Sequence, residues 1–220
     1  MKKLVSLLLA ALLLVGCAAA LADHTVLVPE HSFTEELFAG DCTVKAHFDP
    51  ESAFDDTLTM TFTVMEDDLY PADAVKALQP GDQVILYGES VEVRSVTETE
   101  DGLAINAEGE DPGYEFRYMD DSHTVMYTSD TDTPSRTDMG FYTLPLAGEV
   151  IVRTWREDEP GLPAQELDSD TLTAADVKAF FLARNDPAQT DYLSCEGNHV
   201  TLRVQDGQVT EFEVDWGSDD

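Results

Sequence analysis

Positive charge is scarce in this 220-residue chain: twelve Lys and Arg stand against 45 Asp and Glu, a formal net charge of −33. Two of those twelve, Lys2 and Lys3, sit at the extreme N-terminus. A surface so short of cations repels phosphates and anionic headgroups, which excludes nucleic-acid partners and a polybasic grip on a membrane. Cysteine is scarce too. The three residues Cys17, Cys42 and Cys195 allow one intramolecular disulfide at most. The signatures of common catalytic machinery are missing: the chain contains no G-x-S-x-G, H-E-x-x-H, S-x-x-K or G-x-G-x-x-G sequence and no Walker A loop, so no cofactor is indicated. Its five His are scattered, without the paired short spacing of a structural zinc site. Apolar residues are not lacking. At 43% of the chain, with ten Phe, seven Tyr and two Trp, they are ample for a core.

The one apolar run that stands apart lies at the start. Lys2 and Lys3 precede a hydrophobic stretch over residues 4–15, followed by Leu14-Val15-Gly16-Cys17. This arrangement resembles the lipobox signal of bacterial lipoproteins, with Leu three residues before a Cys that is acylated and becomes the mature N-terminus. The resemblance covers about 17 residues and implies a bacterial envelope protein, anchored by lipid at Cys17 on the extracytoplasmic side of a membrane. An ordinary cleaved secretory signal and an uncleaved anchor over residues 4–22 are the alternatives, since 19 apolar residues approach the ~20 that span a bilayer. All three readings export the remainder of the chain. Two acyl chains hold firmly, each buried methylene adding about 0.8 kcal/mol. With the signal removed, ten basic residues face 45 acidic ones, and the mature charge becomes −35. Such a surface serves solubility.

Beyond the signal, period-two alternation dominates. Val44, Ala46 and Phe48 share one face of a strand over residues 43–48, and Leu58, Met60, Phe62 and Val64 share one face over residues 57–65. Residues 49–56 form the loop between these antiparallel neighbours. Pro71 suits the first turn of a short helix, ended by Pro80-Gly81. Strands over 83–87 and 91–96 lie on either side of a Gly88-Glu89-Ser90 loop, then come strands over 103–107, 114–119 and 124–128 and an exposed loop over 129–138. A hairpin around Ala147-Gly148 joins 141–146 to 149–155. A second helix starts at Thr173-x-x-Asp176, a variant of the capping box, with Val177, Phe180 and Phe181 as its apolar stripe. Its Thr173-Ala-Ala-Asp-Val-Lys-Ala-Phe looks like Pro71-Ala-Asp-Ala-Val-Lys-Ala-Leu, as two amphipathic helices built from common residues would. An Asp206-Gly207 turn closes a hairpin of residues 200–205 and 208–216. Parity is broken in its second strand: Val209 pairs with Val204, yet Phe212, Val214 and Trp216 fall out of phase with Val209, which predicts a β-bulge near Thr210 and Glu211.

The expected fold is mainly β, an antiparallel partly closed barrel or sandwich with two short helices. The expected segments are a signal peptide (1–16), a lipidated tether and unassigned start (17–40), a β-rich core (41–156), a linker (157–171) and a helix plus hairpin packed on the core (172–216). Leu78-Gln79-Pro80-Gly81-Asp82-Gln83-Val84 is similar to the approach to a strand in small β-barrel modules of uncharacterised envelope lipoproteins, over about 20 residues.

Chemistry-bearing groups are few. Cys42 and Cys195 form a candidate disulfide that would close a loop of about 150 residues, for which loop entropy gives roughly 5 kcal/mol. Cys195 and His199, four apart, read as a half-disulfide and a Gly-Asn turn rather than an activated thiol. Asp130 and Asp132, and Asp168 and Asp170, begin like calcium loops but lack the Gly and Glu that such loops need at positions six and twelve. Tyr114, Phe116 and Tyr118 alternate as core aromatics do. The function expected is therefore a non-enzymatic, lipid-anchored binding or structural module, with an envelope protein, peptide or glycan as its partner. An envelope enzyme of unrecognised family, or a Ca²⁺-responsive domain, is the alternative. Metabolic labelling with a palmitate analogue should mark the wild type in the membrane fraction, and Cys17→Ala should lose both label and fractionation; a variant that keeps the label would refute the lipobox reading.

Overall fold

The computed structural model describes residues 24–108, 113–128, 134–156, 165–185 and 200–215. In chain order the strands are β1 (Val26–Leu27), β2 (Cys42–His47), β3 (Thr59–Asp67), β4 (Leu69–Pro71), β5 (Gln83–Leu86), β6 (Glu89–Glu92), β7 (Val96–Glu98), β8 (Gly102–Ile105), β9 (Tyr114–Tyr118), β10 (His123–Thr128), β11 (Arg136–Arg156), β12 (Gln165–Thr173), β13 (Val200–Gln205) and β14 (Gln208–Asp215). The α-helices are α1 (Ala72–Lys76) and α2 (Ala174–Arg184), and a 3₁₀ turn spans Glu35–Ala39. The protein is mainly β, its sheets antiparallel except where β1 runs beside β5 and β11 beside β14.

These elements form two compact units, one from residues 1–29 and 69–133 and the other from 30–68 and 134–220. The units thus alternate along the chain, with residues 69–133 of the smaller interrupting the larger and residues 30–68 of the larger interrupting the smaller. Composition alone predicts one piece over 41–156 with a linker at 157–171; residues 165–171 of that linker are paired in β12 (Gln165–Thr173), and its first part lies outside the described residues.

In the larger unit one sheet runs β12-β11-β14-β13-β2-β3, and β11 returns to pair with β3. The strands β3, β2, β13, β14 and β11 therefore close a ring. Closure depends on the 21-residue β11. Its first half pairs antiparallel with β3, from Arg136 opposite Asp67 to Pro145 opposite Thr59. Its second half pairs with β12 on one side and β14 on the other. The expected hairpin at Ala147-Gly148 is absent: Gly148 shows none of the positive φ of a tight reversal, and the chain runs straight on because its two halves find different partners, β3 before this point and β12 and β14 after it.

Two other expectations need correction. Leu58 is not on the inner face of its strand: at φ 60° and 44% exposed it ends a turn, and β3 starts one residue later. The Asp55 carboxylate shapes that turn by accepting from the N–H groups of Thr57 and Thr59 at 2.9 and 3.0 Å. The turn between β5 and β6 is two residues, not three, since Leu86 pairs with Glu89 and both Tyr87 (φ 52°) and Gly88 (φ 76°) are left-handed.

The broken parity of the last hairpin resolves as expected. Val204 pairs with Val209 and Arg203 with Glu211, so Thr210 is the extra residue of a bulge, and Val209, Phe212 and Val214 all face inward, fully buried. Inside the ring, Phe48, Phe54, Phe181 and Phe212 meet at centroid distances of 4.9 to 6.0 Å. Phe181 brings α2 into this cluster, with Val177 and Ala174 buried on the same face. Thr173 is the N-cap, and its hydroxyl reaches the Asp176 carboxylate.

The smaller unit holds two sheets, β1-β5-β6 and β4-β10-β9-β8-β7. Tyr70 joins them: its ring lies edge-on to Phe116 at 5.2 Å, and its hydroxyl donates to the Ile85 carbonyl at 2.8 Å. Val75 of α1 and Ile105, Phe116 and Met126 complete a core with no exposed member. Phe116 is wholly buried while Tyr118, on the same face of β9, is 40% exposed, so the alternating aromatics are full core only at the middle of the strand.

Phe181→Ala should destabilise the larger unit by about 3–5 kcal/mol, the usual cost of emptying an aromatic site in a packed core. Chemical denaturation read by near-ultraviolet circular dichroism tests this; a loss under about 1 kcal/mol would mean that α2 is not part of the core.

Candidate functional site

Most of the residues singled out for chemistry lie outside the described part of the chain: Cys17, Cys195, His199, Asp130 and Asp132. Cys42 is described, as the half-buried first residue of β2; the bridge to Cys195 therefore involves a residue outside the described ones. Asp168 and Asp170 fall in extended β12 rather than in a loop. Among the described residues no three His, Cys, Asp or Glu side chains converge as metal ligands would, and no helix is long and apolar enough to cross a membrane.

Two arrangements remain, both in the larger unit. The first is a buried carboxylate. Asp68, fully buried at the end of β3, accepts from Thr137 Oγ1 at 2.7 Å and His31 Nε2 at 2.8 Å on Oδ1, and from Ser135 Oγ on Oδ2. Its own N–H donates to the Ser135 carbonyl at 2.9 Å. Aspartate, histidine and serine are together here, but the carboxylate stands between the other two. A nucleophile needs the imidazole next to the hydroxyl. His31, Asp68 and Ser135 all belong to the larger unit, each within two residues of one of its segment ends, so the cluster ties those ends of the larger unit to one another. Beside it, Glu66 accepts from the N–H groups of Ser32 and Phe33 at 2.8 and 2.9 Å. Burial raises its carboxyl, but these bonds and the Ser32 hydroxyl outweigh burial and leave it below the ordinary glutamate value. Asp67 behaves alike: burial raises it, and Lys45 with Arg136, whose Nε lies 2.7 Å away, brings it below the usual range. In neither case is a proton held ready for transfer.

The second is a groove of about 360 Å³ on the outer face of β2, β13 and β14, lined by Asp41, Cys42, Thr43, Thr201, Arg203, Glu211 and Glu213. Strand pairing sets its pattern. Thr43, Arg203 and Glu211 stand in one cross-strand row, and Lys45, Thr201 and Glu213 in the next. The Thr210 bulge puts Glu211 on this outer face while Val209 and Phe212 keep to the inside. Glu211 is held by Arg153 of β11 and approached by Arg203 Nη1 at 4.0 Å. Burial, and then the charge of Asp41, push the Cys42 thiol up, so the group stays a thiol and is a poor nucleophile. Hydroxyls, carboxylates and a guanidinium in this layout suit recognition. The bulge was legible from parity, but the groove was not, because it joins residues 41–43, 201–203 and 211–213.

No protein-family profile, curated protein or solved structure matches this chain.

Glu66 and Asp67 carry carboxyls lowered by folding, and Asp55, lowered to about 2 mainly by the Thr57 hydroxyl, is a third. Each contributes stability above its unfolded value near about 4 that is lost as pH falls through the folded value. Melting temperature should therefore hold between about pH 7 and about 5 and drop steeply below about 4. Glu66→Gln should melt lower at neutral pH and show a shallower acid slope; an unchanged slope would show that Glu66 does not contribute.

Proposed function

We propose that this protein is a lipid-anchored binding module of a bacterial envelope, which takes a basic peptide segment in the outer groove of its barrel. The lipobox supports the anchor. The binding half rests on one observation, the cross-strand alternation of carboxylate, guanidinium and hydroxyl groups around a concavity within the usual size range of ligand sites. Because no three of these acidic groups converge on a point, the site suits a spread of donors, as lysine ammonium and peptide N–H groups supply, better than one metal ion. The net charge of −33 in the whole chain adds long-range attraction for a cationic partner. Against an enzymatic reading stand the saturated carboxylates near Asp68 and the raised thiol of Cys42.

Titration of a short lysine-rich peptide should give saturable heat that falls about tenfold in affinity in Asp41→Lys/Glu213→Lys. Glu98→Lys/Asp121→Lys, an equal change of charge at exposed sites of the smaller unit, should lower it much less. Equal losses in the two variants would reduce the binding to diffuse attraction and remove the groove from the reading.

A further inference from the structure

Among the described residues, an exposed strip of the smaller unit differs from its acidic surroundings. In the smaller unit Leu27 is buried, and its neighbours Val26 and Val28 are each 54% exposed on the opposite side of β1. β1 pairs in parallel with β5, Val26 opposite Gln83 and Leu27 opposite Val84, which sets Val28 beside half-buried Ile85. Tyr87, 50% exposed, stands at the tip of the same sheet. Neither β1 nor β5 carries an acidic residue; the nearest in the sheet, Glu89 and Glu92 of β6, pair with Leu86 and Gln83 of β5, so β5 separates them from β1. In a chain with 45 acidic residues this uncharged, apolar strip calls for a cover.

The chain before it indicates what covers it. Thr25 N–H donates to the buried Asp82 carboxylate at 2.8 Å, and Gln83 N–H donates to the Thr25 carbonyl. The His24 ring lies where a side chain on Gly81 would stand. The fold thus grips the chain from residue 24. Six residues separate Cys17 from His24, so at ~3.5 Å per residue the gripped chain starts no more than about 25 Å from the lipid attachment. On so short a leash, a weak surface contact becomes an intramolecular one.

We propose that the strip formed by Val26, Val28, Ile85 and Tyr87 rests on the membrane interface next to the lipid at Cys17. The proposal depends on the lipid-anchor reading. Apolar side chains and a tyrosine are the groups that partition to that depth. Repulsion of the acidic remainder by anionic lipid fades beyond a Debye length of about 8 Å, so it sets an orientation without preventing contact through an uncharged face. The lipid restrains where the domain is, and the strip determines which way it faces.

The test uses the full-length acylated protein, with Tyr87→Trp as a reporter, in phosphatidylethanolamine and phosphatidylglycerol vesicles carrying brominated phospholipid. The difference in emission from the wild type isolates the new Trp. Burial at the headgroup boundary should cost it roughly half its intensity, and adding Val26→Asp and Val28→Asp should restore the signal while the protein stays on the vesicles. Three results overturn the proposal. Acylated protein bound to vesicles with an unquenched reporter would remove the strip and leave the anchor standing. Protein without acyl chains, or vesicle binding that persists in Cys17→Ala, would remove the anchor reading itself. Concentration-dependent crosslinks between copies through position 28, with no lipid quenching, would assign the strip to a second copy of the chain.

Discussion

The larger unit depends on a single strand being long enough to serve three partners. A ring of strands removes open edges only if some strand spans the seam, and β11 does so by pairing with β3 at one end and with β14 and β12 at the other. Pro145, without an N–H, stands at the last pair of the β3 ladder, where the missing donor matters least. Gly148, whose Cβ position is open, comes next in the stretch where the ladder changes hands. The ring encloses the aromatic cluster that α2 covers, so core, helix docking and outer groove all depend on that seam.

An acid-rich chain also has an unusual supply of hydrogen-bond acceptors, and this protein directs many of them at its own backbone. Asp55, Glu66, Asp82 and Asp120 each accept two N–H groups that turns and irregular segments would otherwise leave without partners. Asn106 does the same as a neutral group, accepting from Arg94 N–H and donating to the Glu92 carbonyl. These contacts explain how loops are held in a strand-rich fold whose cysteines allow at most one internal disulfide. Asp68 is the extreme case, a fully buried carboxylate with three side-chain donors. Exposed acids such as Asp73, Glu98 and Asp121 add to a net charge of −33, the source of the long-range field that the proposed basic partner would meet.

Local alternation is a dependable guide wherever one face of a strand is buried. It places β2, most of β3 and the final hairpin, and in the last case the phase slip between Val209 and Phe212 identifies the Thr210 bulge. It fails at Ala147-Gly148, where small residues mark a change of strand partner as readily as a reversal, and at Leu58, where an Asp55-centred turn removes the residue from the ladder. The linker expected over 157–171 rests on polarity; β12 shows that an edge strand paired on one side can be as polar as a loop. The site is less legible than the fold. Glu211 and Glu213 read as ordinary solvent-facing strand residues until β2 and β13 bring Asp41, Thr201 and Arg203 alongside.

By itself the sequence determined the class of the fold, its strands and turns, and the extreme charge, because these arise from periods of two, from the special backbone of Gly and Pro, and from counting. It also carries Leu14-Val15-Gly16-Cys17, whose resemblance to a lipobox is the basis of the proposed anchor. Tertiary structure decided which strands close the ring, which unit holds β1, and which outward-facing residues share a groove. Those outcomes rest on pairings between segments far apart in the chain, such as Thr43 with Arg203, and no local pattern encodes the free energy that selects one distant partner over another.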